Sequence, residues 1–260
     1  MQVLLSDKNP LLKQVRRAVQ KGSLTDDGFA VAEGFHLLEE ALKSNAEIGA
    51  VIVAQSVATA IESHVKGLKL RVATVRDADF AALASTESPQ GVLALVKLPA
   101  WTLDQLLRGK LPMMAVLDGI QDPGNAGAIL RAAEAFGATG AAFLKGSVSP
   151  YNPKCMRASA GSVFRLPLAS ALDESLLLAA LEKKRSVLYA AMPRAELLVS
   201  DANFKTSCAI VIGSEGRGVS ERLAARATPL RISTTGVESL NAAVAAGILF
   251  YEARRQRTAL

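Results

Sequence analysis

The sequence predicts an α/β protein built from two consecutive units that meet near residue 105. Short apolar runs of strand length alternate with helical segments along almost the whole chain. The alternation pauses once, at residues 98–112, where two prolines and the only tryptophan stand close together. A chain of 260 residues suffices for one large domain or two modest ones. We therefore expect domains at 1–97 and 113–260, joined by a linker at 98–112 that holds one short helix.

The first unit opens with a helix and then alternates. Asn9 suits the N-cap of that helix, Pro10 suits its first position, and Gly22 follows its end. Further helices are expected at 34–43, 58–66 and 77–84. Strands are expected at 29–32, 48–54, 70–75 and 92–96. This pattern predicts a small α/β domain.

The second unit repeats the alternation over a longer stretch. Strands are expected at 113–117, 141–144, 187–191, 208–212 and 230–232. Helices are expected at 126–136, 153–159, 173–184, 220–226 and 240–256. The last helix is apolar nearly all round, which predicts burial either in the core or against a second subunit.

Composition narrows the functional class. The longest apolar run, 242–251, is too short to span a bilayer, and polar residues interrupt the first twelve positions, so no signal peptide is expected. Cys155 and Cys208 lie far apart without metal or disulfide spacing, which is typical of thiols in a reducing compartment. We expect a cytoplasmic protein with no membrane segment and no metal site.

A net charge of +6 suits a polyanionic partner. Basic residues crowd the first helix, where only Asp7 opposes them. They are Lys8, Lys13, Arg16, Arg17 and Lys21. A solvated helix face explains such a run as well as a nucleic-acid contact does.

A loop rich in turn-forming residues follows the strand at 113–117. Gly124 and Gly127 permit close backbone approach, and Asn125 is placed to cap the next helix. Arg131 lies one turn beyond Gly127, and helical side chains lean toward the N-terminus, so its guanidinium can reach back over the loop. This combination can bind an anion, although an ordinary cap beside a surface arginine would look the same.

Two more loops carry polar residues at element junctions. The strand at 208–212 delivers Gly213-Ser-Glu-Gly-Arg-Gly218 at its carboxyl end, where open α/β sheets bind ligands. This spacing fits neither a P-loop nor a dinucleotide fingerprint. Ser239 and Asn241 stand at the start of the last helix, where they could simply cap it.

Taken together, Asn125-x5-Arg131, Gly213-Ser-Glu215-Gly-x-Gly218 and Ser239-Leu-Asn241 resemble the three motifs of the SpoU/TrmH family of RNA ribose 2′-O-methyltransferases, in the SPOUT superfamily. The resemblance covers residues 113–257. Residues 1–97, with the segment VAEGFHLLEEAL, resemble the family's L30e-like substrate-binding domain.

The resemblance implies a trefoil-knotted catalytic domain, a homodimer, and bound S-adenosyl-L-methionine. The cofactor would be held largely by backbone groups of the second and third motifs, at Gly213, Gly218, Leu230, Ile232 and Leu240. The implied active-site residues are Asn125, Arg131, Glu215, Ser239 and Asn241. The implied RNA contacts are Lys13, Arg16, Arg17 and Arg131. The loop at 233–236 departs from the family's usual pattern.

The implied reaction is methylation of a ribose 2′-hydroxyl in structured RNA, with ribosomal RNA favoured over tRNA. Arg131 is often assigned as the base in this family, but a guanidinium is a very poor base, so a phosphate clamp held by Glu215 and Asn125 is the simpler hypothesis. Two alternatives remain: a non-catalytic RNA-binding protein with a degenerate methyltransferase shell, and an enzyme that methylates a base nitrogen.

Overall fold

The computed structural model describes residues 3–4 and 9–258 and divides into two compact units. Unit 1 comprises Met1–Pro99 and Tyr151–Phe164, and unit 2 comprises Ala100–Pro150 and Arg165–Leu260. The predicted second domain, 113–260, includes Tyr151–Phe164, whereas the structure groups this segment with the N-terminal part of the chain. Asp7 and Lys8 of the predicted basic run lie outside the described residues.

Unit 1 contains a mixed five-stranded sheet in the order β1-β4-β3-β5-β2. Its strands are β1 (Val3–Leu4), β2 (Ala30–Glu33), β3 (Glu47–Ala54), β4 (Val72–Val75) and β5 (Val92–Lys97). Its helices up to residue 99 are α1 (Pro10–Lys21), α2 (Phe35–Lys43), α3 (Ala58–Val65) and α4 (Asp77–Ala81). Asn9 caps α1 by accepting from the Leu11 amide at 2.9 Å, and Gly22 ends it in the left-handed region. The predicted ends of α1 are thus confirmed.

Unit 2 contains a six-stranded sheet in the order β11-β9-β10-β6-β7-β8, in which every neighbouring pair is parallel. The strands are β6 (Met113–Asp118), β7 (Gly140–Leu144), β8 (Leu168–Leu172), β9 (Val187–Ala191), β10 (Cys208–Gly213) and β11 (Thr228–Leu230). The remaining helices of the chain are α5 (Leu103–Leu106), α6 (Pro123–Ala135), α7 (Pro153–Ala158), α8 (Ser162–Arg165), α9 (Glu174–Lys183), α10 (Glu221–Ala224) and α11 (Ala242–Thr258).

The order of these strands creates a crevice at one point of the sheet. From β6 the chain advances through β7 to β8 at one edge, and then returns to place β9 and β10 on the other side of β6. β6 and β10 pair in register, so that Asp118 at the end of β6 lies opposite Gly213 at the end of β10. Parallel α/β sheets bind ligands beyond the carboxyl ends of their strands where the strand order reverses.

Helix α11 buries only one of its faces within unit 2. Leu249 and Phe250 are fully buried, whereas Val244 and Tyr251 expose 52% and 55% of their surface. The Tyr251 ring packs edge-on against Phe136, with centroids 5.7 Å apart. Burial in the core of this chain therefore explains one side of the helix and leaves an apolar side uncovered. No helix in residues 9–258 has both the length and the apolar character needed to cross a membrane.

A buried ion pair joins α7 to β2 inside unit 1. The Glu33 side chain is only 4% exposed, and its carboxylate accepts hydrogen bonds from Ser85 Oγ at 2.5 Å and from Arg157 Nη1 at 2.8 Å. Thr86 Oγ1 donates to the second carboxylate oxygen at 2.5 Å. Burial alone would raise the pKa of Glu33, but the hydrogen bonds from Ser85 and Thr86 and the charge of Arg157 outweigh it and lower that pKa.

Replacing Arg157 with methionine is expected to lower the free energy of unfolding by about 3 kcal/mol at pH 7, because an uncompensated carboxylate stays buried. The folded-state pKa of Glu33 lies below the unfolded one, so this stabilisation is fully present above the unfolded value of about 4.3. It is lost as the pH falls through the folded-state pKa. The free energies of unfolding of wild type and Glu33→Gln, measured with urea from pH 7 downward, are therefore expected to converge at acidic pH.

The matched control is Arg255→Met, which breaks a surface pair with Glu252 at 2.8 Å and is expected to cost less than about 1 kcal/mol. An Arg157→Met variant as stable as this control at pH 7 would show that the buried pair does not stabilise unit 1.

Candidate active site

The first loop joins β6 to α6, and its geometry corrects one prediction. Asp122, not Asn125, caps α6, since the Asp122 carboxylate accepts from the Asn125 amide at 2.7 Å. Asn125 lies three residues later, inside the first turn. Its side chain is therefore available for contacts with other loops.

The second loop, after β10, folds back on itself as a tight hairpin. Ser214 and Gly218 exchange two backbone hydrogen bonds, of 3.1 and 2.8 Å, and the Arg217 amide donates to Ser214 Oγ at 3.2 Å. A Cβ on Gly213 would lie 2.2 Å from the Gly218 carbonyl carbon. Gly218 itself has a φ of +70°. Both glycines are thus needed for the hairpin itself.

Two residues outside the three motifs, Asp118 and Ser147, hold these loops in place. The buried carboxylate of Asp118 accepts from the Ser220 amide at 2.7 Å and so ties the end of β6 to the end of the second loop. Ser147 Oγ accepts from the Gly119 amide at 2.9 Å and donates to the Leu117 carbonyl at 2.9 Å. The strand-end position of Asp118 was the only sequence signal for this anchor.

A chain of side-chain hydrogen bonds connects all three predicted motifs. Asn241 Oδ1 caps α11 by accepting from the amides of Ala243 and Val244, at 2.9 and 3.3 Å. Because these amides fix that oxygen, Asn241 Nδ2 must be the donor to Asn125 Oδ1, at 3.0 Å. Asn125 Nδ2 then donates to Glu215 Oε1. The chain therefore has one direction, from the start of α11 to the Glu215 carboxylate.

The structure leaves two predicted residues outside this chain. Arg131 is exposed on α6, and its guanidinium has no hydrogen bond or ion pair with any described residue. Ser239 is exposed in the loop before α11. Within one chain, Asn125 and Glu215 bind each other and neither contacts the Arg131 guanidinium, so the hypothesis that they hold Arg131 stays a prediction. The guanidinium is consequently available for a partner from outside the chain.

Several predicted cofactor residues lie in or beside the loop at 232–240, whose amides make no hydrogen bonds to other backbone groups within the described residues. Leu230 is buried at the end of β11, while Ile232 and Leu240 are half-buried. The strand predicted at 230–232 is present but lies two residues earlier, because β11 pairs with β9 at 228–230 and ends before Ile232. Ile232 therefore belongs to the loop.

The predicted RNA contacts of unit 1 lie on the outer side of α1. Leu12, Val15 and Ala18 bury the opposite side of this helix. Lys13 and Arg17 are exposed and Arg16 is half-exposed, while Arg17 also pairs with Asp26 at 3.2 Å. This placement suits both an RNA contact and a solvated face.

The fold and the site define an α/β protein with a polar, hydrogen-bonded centre at the carboxyl edge of a parallel sheet. Residues 112–251 match the SpoU rRNA Methylase family, and residues 9–94 match the MRM3-like substrate binding domain. The chain belongs to the SpoU rRNA methylase family. The predicted family and the predicted α/β class are thereby confirmed, while the knot and the L30e-like fold stay predictions.

Relatives match along the whole chain. An uncharacterized tRNA/rRNA methyltransferase of Synechocystis sp. is 33% identical over 98% of this chain and 94% of its own length. The 23S rRNA guanosine 2′-O-methyltransferase RlmP of Bacillus subtilis is 31% identical over 98% of this chain and 100% of its own.

Solved structures agree with this assignment. The crystal structure of an RNA 2′-O ribose methyltransferase has a TM-score of 0.81 at 30% identity and covers 99% of this chain and 100% of its own. The AdoMet-bound rRNA methyltransferase from Sinorhizobium meliloti has a TM-score of 0.83 at 25% identity, with 98% of each chain covered.

Proposed function

We propose that this protein methylates a ribose 2′-hydroxyl in structured RNA, with S-adenosyl-L-methionine as donor and ribosomal RNA as the favoured substrate. The observation that carries the proposal is the hydrogen-bonded chain Asn241–Asn125–Glu215, which joins the three motifs at one sheet edge. The relatives that match over the whole chain support it, since their names describe methyltransferases of rRNA or tRNA.

The loops of unit 2 fit S-adenosyl-L-methionine chemically. The unused amides of residues 232–240 can donate to its polar groups, and the half-buried Ile232 and Leu240 can cover apolar surface. Gly213 and Gly218 carry no side chains at the two ends of the neighbouring hairpin, where their backbones approach each other. When bound, the cofactor supplies a methyl group already activated by its sulfonium, so the protein has mainly to orient the acceptor oxygen.

Each polar residue of the site has a separate role in binding or orienting the RNA. Arg131 binds the phosphate next to the target ribose and stabilises the negative charge that develops on the 2′-oxygen, a task suited to a planar, permanently charged fork. Asn125 occupies one oxygen of Glu215, which leaves the other to accept the hydrogen bond of the 2′-hydroxyl and then its proton, as the 2′-oxygen takes the methyl group and S-adenosylhomocysteine leaves. Ser239 supplies a further exposed hydroxyl for the RNA. The basic side of α1, with Lys13, Arg16 and Arg17, binds RNA away from the target nucleotide.

The proposed active form is a cytoplasmic homodimer in which the uncovered apolar side of α11 packs against the same side of a second copy.

The change Tyr251→Glu places a charge on that side and is expected to raise the dimer dissociation constant at least about 100-fold, since a buried unpaired charge is costly. Sedimentation equilibrium measures this constant. The control Leu176→Glu alters an exposed apolar side chain on α9 and is expected to leave the constant unchanged. Wild-type protein that sediments as a monomer at micromolar concentration would contradict the dimer.

The proposed function is tested with the purified full chain. Calorimetric titration is expected to show saturable binding of S-adenosyl-L-methionine, and labelled methyl groups are expected to pass to 23S rRNA transcribed in vitro rather than to tRNA transcripts. Binding of RNA without any binding of S-adenosyl-L-methionine would favour the degenerate, non-catalytic alternative.

A further inference from the structure

The segment from Arg217 to Arg226, after β10, carries three exposed arginines to which the mechanism above assigns no role. They are Arg217 in the hairpin, Arg222 in α10 and Arg226 one helical turn further on. None of the three guanidinium groups has a hydrogen bond or ion pair with another described residue. The positive charge of this segment is therefore fully presented to solvent.

Basic residues elsewhere in unit 2 are arranged differently. Lys183 and Lys184, at the end of α9, both reach the Asp104 carboxylate, at 3.6 and 3.5 Å. Across residues 100–150 and 165–258, no other stretch of this length holds three exposed Lys or Arg side chains without a side-chain partner. The concentration of unpaired arginine at Arg217–Arg226 is thus specific to this segment.

The backbone beneath these arginines is anchored beside the active site. The hydrogen bond from the Ser220 amide to Asp118 fixes the middle of the segment, and the fully buried Leu223 fixes α10. β11, which follows, pairs in parallel with Tyr189–Ala191 of β9 and so ends the segment at the sheet. Arg217 is therefore held two residues from Glu215, and Arg222 and Arg226 follow it on the anchored segment.

Acidic neighbours do not neutralise this surface. Neither Glu215 nor Glu221, the carboxylates nearest in sequence, forms an ion pair with any of the three arginines. A guanidinium without an internal partner loses no ion pair when it binds a phosphate. Its fork also matches phosphate oxygens in a bidentate geometry.

We infer that Arg217, Arg222 and Arg226 form a contact surface for the phosphate backbone of the RNA substrate, on the nucleotides that flank the methylated ribose. This inference rests on the proposed function. It assigns to unit 2 an RNA surface of its own, separate from the basic side of α1. Contacts of this kind position the substrate without reading its sequence.

The inference is tested with a variant that carries Arg217→Gln, Arg222→Gln and Arg226→Gln, on 23S rRNA transcribed in vitro. We expect KM for RNA to rise at least about tenfold and kcat to stay within about twofold. The slope of log Kd against log[KCl] is expected to shrink by about 2, since fewer counterions are released. Affinity for S-adenosyl-L-methionine, measured by calorimetry, is expected to stay unchanged and reports that the site is folded.

The control is the double variant Lys183→Gln and Lys184→Gln, which removes two surface lysines that are paired with Asp104. A triple variant with the KM and salt slope of this control overturns the inference. If the triple variant weakens RNA binding but wild type transfers no methyl group, the proposed function is wrong and the inferred RNA contact surface is still supported. Should the triple variant lose cofactor binding, Arg222→Gln and Arg226→Gln are compared singly. Each is expected to raise KM about threefold, and no change in either would overturn the inference.

Discussion

Replacing Asn125 with aspartate is expected to lower kcat at least about 100-fold, which corresponds to about 2.7 kcal/mol of transition-state stabilisation. The amide of Asn125 donates to Glu215 and accepts from Asn241. A carboxylate at position 125 can still accept from Asn241, but it faces the Glu215 carboxylate with like charge, and such a contact costs several kcal/mol. The first and second loops are then pushed apart.

A double variant tests whether the lost hydrogen bond between positions 125 and 215 causes this effect. Combining Asn125→Asp with Glu215→Gln restores one donor and one acceptor between the two positions, so the loops are expected to close again. Single-turnover methyl transfer and calorimetry separate the two effects. We expect the double variant to recover the cofactor affinity of wild type but to keep a lowered kcat, since the Glu215 carboxylate is absent. Full activity in the Asn125→Asp single variant would contradict the role of the hydrogen-bonded chain.

Arg131→Lys is expected to lower kcat about 100-fold while changing the affinity for RNA by less than about tenfold. Lysine keeps the positive charge but lacks the planar fork that binds two phosphate oxygens at once. Removal of a single charge-stabilising donor from an active site typically costs 10²–10³ in kcat. The measurement is kcat and Kd for 23S rRNA transcribed in vitro.

Arg76→Lys is the control for this experiment, because Arg76 pairs with Asp79 on the surface of α4. It is expected to keep wild-type kcat. An Arg131→Lys variant that also keeps wild-type kcat would show that bidentate binding at this position is not required.

The sequence predicted those elements whose local signals are strong. Helix α1 begins and ends where Asn9, Pro10 and Gly22 place it, because caps act on the backbone directly. β6 and β10 are continuous apolar runs and were found within one residue of their ends. β8 was missed, because Leu168–Leu172 is short, edge-placed and mostly half-exposed, so it has neither a buried run nor a clear alternation.

The predicted convergence of the three motifs is present in the structure, whereas the predicted cap of α6 is wrong. Glu215 and Asn241 meet through Asn125, as the convergence of the three motifs required. The N-cap of α6 was assigned to Asn125, although Asp122 is an equally good cap three residues earlier. The partner of Arg131 could not be derived either, because pairing between long side chains depends on distances that only the fold sets. The Glu33–Arg157 pair joins residues 124 positions apart and left no local signal.

The central claim is that the hydrogen-bonded chain Asn241–Asn125–Glu215 orients a ribose hydroxyl for methylation. The most direct measurement incubates the protein with methyl-labelled S-adenosyl-L-methionine and unmodified 23S rRNA, digests the RNA to nucleosides and identifies the labelled one by mass spectrometry. We expect a single 2′-O-methylnucleoside, formed at least about 100-fold more slowly by Asn125→Asp protein. Label on a base nitrogen, or equal labelling by the Asn125→Asp variant, would contradict the claim.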